Sequence, residues 1–245
     1  MSNDSARINL TNHFLIAMPS MQDEVFGRSV VYMCEHSERG ALGLVINKPS
    51  DILVSDLFNK VELPLARPDV AEQPVFQGGP VQTERGFVLH DPMRMDKPEL
   101  DGGSIYASTL TVPGGLEMTT SRDVLEALSS GAGPRRVLVT LGYAAWGEGQ
   151  LESELSENTW LTVEAKPELI FDVPVERRYD EALVGELMKR GMDGAVATGM
   201  LDRLDLGAAQ LGRDDVEHSI EVAIELESRQ HGVGVSSRAV GQDQL

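Results

Sequence analysis

Cysteine is almost absent from this chain: Cys34 is the one thiol in 245 residues. It cannot close an internal disulfide or supply the cysteine cluster of a zinc or iron site, and a reducing compartment suits it. Long apolar runs are missing as well. The longest near the N-terminus, residues 14–18, follows no basic segment and so lacks the form of a secretory signal. Nothing approaches the roughly eighteen apolar residues of a membrane span, and the expected location is cytoplasmic. Cations are scarce: 21 Lys and Arg stand against 39 Asp and Glu, a net charge of −18. That field repels phosphate backbones, so direct nucleic-acid binding is disfavoured. The basic pairs Arg135-Arg136 and Arg177-Arg178 are the candidates for a local exception, and isolated pairs of this kind read as solvated surface. No helix-turn-helix, zinc-finger or RNA-binding signature accompanies them, so an effect on transcription would pass through another protein.

What is present is a dense pattern of short elements. Residues 30–34 and 41–46 are two β-rich apolar runs separated by a polar turn over 35–40, which predicts a hairpin with Gly40 in a left-handed position. Its exit, Asn47-Lys48-Pro49, is unusually polar. The spacing of Val54, Leu57, Phe58 and Val61 predicts a helix capped by Ser50 or Asp51. Strands are expected over 75–79, 86–90, 105–110, 116–118, 137–141, 160–163 and 169–173. Thr120 with Asp123 has capping-box spacing before the stripe Val124, Leu125 and Leu128. Leu151 and Leu155 share one face of a helix whose glutamates read as a solvated side. A last helix runs over 178–190 to Gly191.

Several motifs stand in order: HFLIAMPSMQD from His13, FGRSVVYMCEHSERGALGLVINKP from Phe26, FQGGP from Phe76, RGFVLH from Arg85, MTTSRDVL from Met118 and LGYAAWGEGQLESEL from Leu141. In their order and spacing the chain resembles the YqgE/AlgH family of bacterial proteins over roughly residues 9–183. The resemblance implies an α+β fold, a forked mixed β-sheet folded into a partial barrel with flanking helices. It carries no established activity or active site, although the name of one member is linked to transcriptional control. The expected organisation is a family-like domain over 1–183 and an accessory tail over 184–245 that departs from the family. No aromatic residue follows Tyr179, which leaves the tail few large groups for a core. Its alternation from Ile220 to Leu226 fits a strand, while Val216, Ile220 and Ile224 fit a helix.

Each candidate site has a structural reading beside the functional one. Gly78 and Gly79 could present backbone amides to an anion, but a strand rather than a helix follows them, which favours a turn. Thr119, Thr120, Ser121 and Arg122 at a helix start make a better anion site, although capping also explains the hydroxyls. Asn47 and Lys48 present an amide and a cation on a rigid exit. His13, His36 and His90 lack the local spacing of metal ligands, and Cys34 beside His36 reads as a buried cysteine. The usual hydrolase motifs are missing. Tyr143 and Trp146, expected on a glycine-rich link, could form an aromatic recognition surface.

Two readings follow. One is a non-catalytic regulatory or protein-interaction module whose partner is another protein. The alternative is a small-ligand or nucleotide-binding protein, conceivably an enzyme, in which Lys48, Arg85, Thr120, Ser121 and Arg122 converge on an anion. No cofactor is expected.

Overall fold

The computed structural model describes residues 9–93 and 104–189, with 191 and 194. The chain divides into compact units at 1–186 and 187–245, and the architecture below is that of the first. The strand and helix readings of residues 216–226 lie outside the described residues.

In chain order the elements are β1 (His13–Ala17), β2 (Val30–Ser37), β3 (Gly40–Val45), β4 (Pro49–Leu53), α1 (Val54–Lys60), α2 (Pro68–Ala71), β5 (Pro74–Gln77), β6 (Val81–His90), β7 (Thr109–Thr111) and β8 (Glu117–Thr119). There follow α3 (Arg122–Ser129), β9 (Val137–Trp146), α4 (Gln150–Ser156), β10 (Trp160–Glu164), α5 (Pro167–Phe171), a 3-10 turn (Val175–Arg177) and α6 (Arg178–Lys189). The main sheet runs β10-β1-β2-β3-β9-β6-β8-β7, and β5 with β4 branches from β9. This is the expected α+β fold, a forked sheet curled into a half barrel with helices against it.

Strands β1 and β2 are buried along nearly their whole length. Their apolar runs do not alternate with polar residues because both faces are covered. One side carries a core of Leu15, Ala17, Val31, Met33, Val45, Trp146, Leu151 and Trp160. A second core gathers Val54, Phe58, Val75, Val88, Val124, Leu128, Val137 and Val139 beneath α1 and α3.

The fork lies at the hairpin exit. The edge of β9 is shared: β3 takes its second half, from Ala41 opposite Trp146 to Gly43 opposite Ala144, and β5 takes the first half in parallel, Phe76 opposite Thr140. Where they meet, Val45 N–H donates to the Gly78 carbonyl and Gly78 N–H to the Leu141 carbonyl. Chain beyond β3 must leave β2 here, which would strand the amide of the fully buried Val30. Asn47 prevents this. Its Oδ1 accepts from Val30 N–H at 2.8 Å and its Nδ2 donates to the Arg28 carbonyl at 2.8 Å, so one side chain stands in for a ladder rung. Lys48 Nζ donates to the Gly27 carbonyl at 2.6 Å on the same side. Arg178 also enters the fork, with Nη1 donating to the Ile46 carbonyl and Nε to the Val173 carbonyl.

Gly78 and Gly79 have a steric role. A Cβ on Gly78 would lie 2.3 Å from the Gly142 carbonyl oxygen, and one on Gly79 would lie 2.2 Å from the Tyr143 backbone. The chain crosses β9 in backbone contact before returning as β6.

Several local expectations differ from what forms. β2 continues to Ser37, because a bulge after Met33 lets Glu35 and His36 stay in the ladder and shortens the loop to two residues before Gly40. Ser50 and Asp51 lie in β4, and α1 is closed instead by Asp56, which accepts from Leu53 N–H at 3.1 Å. The cap of α3 falls at Ser121 rather than Thr120. Residues 167–171 are helical, not a closing strand, since Pro167 occupies a first-turn position where its missing N–H costs nothing. β9 reaches Trp146, so Tyr143 and Trp146 are on a strand kinked at Gly142 and not on a link.

Replacing Asn47 with Ala leaves the Val30 N–H buried without its acceptor, and we expect a loss of about 2 kcal/mol in unfolding free energy. Urea denaturation with an unchanged m-value checks this.

Candidate functional site

The sequence candidates fall into three places. Arg85, Thr120 and Tyr143 come together around a large bulge on β6. Between Val81, opposite Tyr143, and Gly86, opposite Leu141, four residues of β6 face the single Gly142 of β9. Residues 82–85 are all exposed. Arg85 pins the bulge by donating to Thr120 Oγ1 at 3.1 Å and to Gln82 Oε1 at 3.3 Å. Its guanidinium sits 5.7 Å from the Phe87 ring centroid, and Phe87 in turn packs on Tyr143 at 5.3 Å. Gly78 and Gly79 lie behind this patch, against the strand kink.

Ser121 and Arg122 stand beside the patch but are engaged elsewhere. Ser121 Oγ donates to Asp123 Oδ1 and accepts from Ser108 N–H at 3.1 Å. Arg122 turns to Glu126 at 3.2 Å and to the Val61 carbonyl at 3.1 Å. Asn47 and Lys48 are at the fork, where burial first and then nearby Arg28 lower the Lys48 pKa. Lys48, Arg85, Ser121 and Arg122 therefore each have their own partners and do not share one pocket.

Trp146 is buried. It packs edge-on against Trp160 at 5.9 Å and near Phe26 at 6.2 Å. Both indole N–H groups donate to the same oxygen, Glu154 Oε2, at 2.8 Å. The glutamates of α4 are thus more than a solvated face. Glu154 clamps two tryptophans, and Glu152 accepts from His36 Nε2 at 2.9 Å. His36 Nδ1 accepts from Leu10 N–H at 3.0 Å, which fixes its tautomer. Cys34 is buried, and desolvation pushes its thiol pKa up and away from the reactive thiolate. Alternation could not reveal these pairings, because they join residues of different elements: Glu152 reaches His36 far away in the chain, and Glu154 reaches Trp146 and Trp160 on the strands that flank α4.

Comparison with known proteins decides the family. The AlgH-like family model, DUF179, matches residues 14–188. The chain belongs to the AlgH-like family. A UPF0301 protein of Variovorax paradoxus is 71% identical over 186 residues, covering 75% of this chain and 92% of that one. One from a Polaromonas strain is 72% identical over 184 residues, with the same two shares. The solution structure of the AlgH protein of Pseudomonas aeruginosa is similar with a TM-score of 0.61 and 43% identity, over 86% of this chain and 99% of that one. A crystal structure from Corynebacterium diphtheriae, 22% identical with a TM-score of 0.54 over 72% of this chain and 87% of its own, shares the fold.

This AlgH-like chain also buries a histidine completely. His90 Nδ1 lies 2.8 Å from the Asp91 carbonyl and Nε2 lies 2.9 Å from Thr119 Oγ1, which fits a neutral ring donating from Nδ1 and accepting at Nε2. Desolvation lowers its pKa, opposed in part by the Asp91 carbonyl and the charges of Glu117 and Asp91. The unfolded chain then binds the proton at higher pH than the folded one, so this contribution to stability is intact above about pH 6.5 and falls as pH drops below it. We expect unfolding free energy to decline by up to about 1.4 kcal/mol per pH unit there from this group. Urea titrations at stepped pH, with His90→Asn flattening the slope, check it.

Proposed function

We propose that this AlgH-like protein is a non-catalytic, cytoplasmic interaction module that contacts a protein partner through the β6 bulge. Any effect on transcription then passes through that partner and not through DNA. The observation that carries the reading is the bulge itself. It is a set of exposed polar residues held rigidly on a central strand by Arg85, Thr120, Phe87 and Tyr143. Bulges of this size re-aim side chains and are common where a strand serves a function. The surrounding chemistry supports it: His36, His90 and Cys34 are buried, and the two histidines are engaged in the hydrogen bonds that hold the fold.

The test uses immobilised full-length protein, with a captured partner identified and its affinity measured. Arg85→Glu should weaken that complex at least tenfold with little change in Tm, and Arg122→Glu, on the neighbouring helix, should leave it within twofold. Equal binding by the Arg85 variant contradicts the reading. So does a salt-sensitive mobility shift with duplex DNA.

A further inference from the structure

A cleft of about 260 Å³ opens between the start of β9, α5 and the approach to α6. Its walls include Arg135, Arg136 and Arg178, together with Phe76 and Phe171. Of the two basic pairs that read as separate solvated surface, one sends both members and the other sends Arg178 to this one place. The geometry points to a binding site for a small oxyanion, a carboxylate or a phosphate group carrying one or two negative charges.

The three guanidinium groups differ in what already holds them. Arg136 is satisfied: Asp91 accepts from its Nε at 2.9 Å and its Nη2 at 2.7 Å, Asp172 lies 3.5 Å from Nη1, and the Phe171 ring is stacked at 4.9 Å. It forms a fixed wall. Arg178 is only 6% exposed, yet its hydrogen bonds go to the neutral carbonyls of Ile46 and Val173, and its plane lies 5.1 Å from the Phe76 ring. Among the described residues it makes no ion pair, and its Nη2 has no hydrogen-bond partner. Glu176 and, near Arg136, Glu168 act at longer range. A buried cation without a counter-charge is costly, and an anion in the cleft would relieve that cost. Burial lowers the Arg178 pKa to about 10, which still leaves it charged at neutral pH. Arg135 is exposed and its side chain has no hydrogen bond or ion pair among the described residues. Its carbonyl is anchored by Arg67 Nη2 at 2.9 Å, so the side chain is mounted on fixed backbone at the mouth.

Size and field select the ligand. The volume is below the roughly 300–1,000 Å³ of pockets that take drug-sized molecules, so a nucleotide does not fit within it. A highly acidic macromolecule would meet the net charge of −18, whereas a small free anion meets only charges within a Debye length of about 8 Å: three guanidinium groups, and nearby carboxylates of which Asp91 and Asp172 are already held by Arg136 while Glu168 and Glu176 act at longer range. Planar guanidinium forks suit carboxylate and phosphate equally, which leaves the choice between them to experiment.

The test follows the arginine Nε–H signals of the full-length protein by NMR. Inorganic phosphate and succinate are titrated separately at constant ionic strength, with chloride as the reference. We expect saturable shifts at Arg178 and Arg135 with at least one probe, half-complete in the low millimolar range or below, and the probe that saturates identifies the oxyanion. Arg135→Gln, chosen because its side chain is exposed and makes no hydrogen bond or ion pair among the described residues, should weaken binding at least fivefold with Tm unchanged. Shifts that do not saturate, that chloride reproduces, or that persist unaltered in Arg135→Gln overturn the proposal. The readout is at Arg178 and Arg135 and not at the β6 surface, so neither result bears on the proposed partner contact.

Discussion

The polar seam at the fork is the constraint on which the rest of the structure depends. A sheet can branch only where one strand gives up a neighbour, and each abandoned backbone group then needs a substitute. Asn47 supplies both halves of the missing rung, a donor for the Arg28 carbonyl and an acceptor for Val30 N–H. Arg178 meets the Ile46 carbonyl next to it. Because these groups are satisfied, the hairpin can remain in the main sheet while the chain beyond it enters β4 and the second core.

The crossing of β9 follows from the same geometry. Once β5 shares an edge of β9 with β3, the return to β6 must pass directly over that strand, and only glycine fits at positions 78 and 79. Gly142 kinks β9 at this point with φ of 73°, and β6 answers with the bulge that carries Arg85 outward. The bulge proposed as a partner surface and the arginine cleft are thus two consequences of one branch point, the first on the β6 side of β9 and the second around the residue that plugs the fork.

Much of the fold was legible because its signals are local. The hairpin shows in two β-rich runs around a glycine turn, and α3 in the stripe of Val124 and Leu128. Other features were hidden because they depend on how neighbouring elements pack, which spacing does not record. Tyr143 and Trp146 looked like part of a link, since three glycines surround them, yet β3 and β6 draw them into β9. Residues 169–173 looked like a strand because Leu169, Ile170 and Phe171 are apolar, while Pro167 and the position after β10 make a helix of them. Glu154 looked solvated until its two tryptophan donors were placed beside it. The candidate site was legible only in part: Arg85, Thr120 and Tyr143 do meet, but the meeting of Arg135, Arg136 and Arg178 depends on tertiary structure that no spacing records.

Native-state hydrogen exchange at the fork tests this account most directly. If the seam holds the fold together, the amides of Val30, Val45 and Gly78 open only with global unfolding and share the protection of central β1 amides such as Leu15. Exchange at those three positions orders of magnitude faster than at Leu15 would mean that the fork opens by itself, and that the fold does not depend on it.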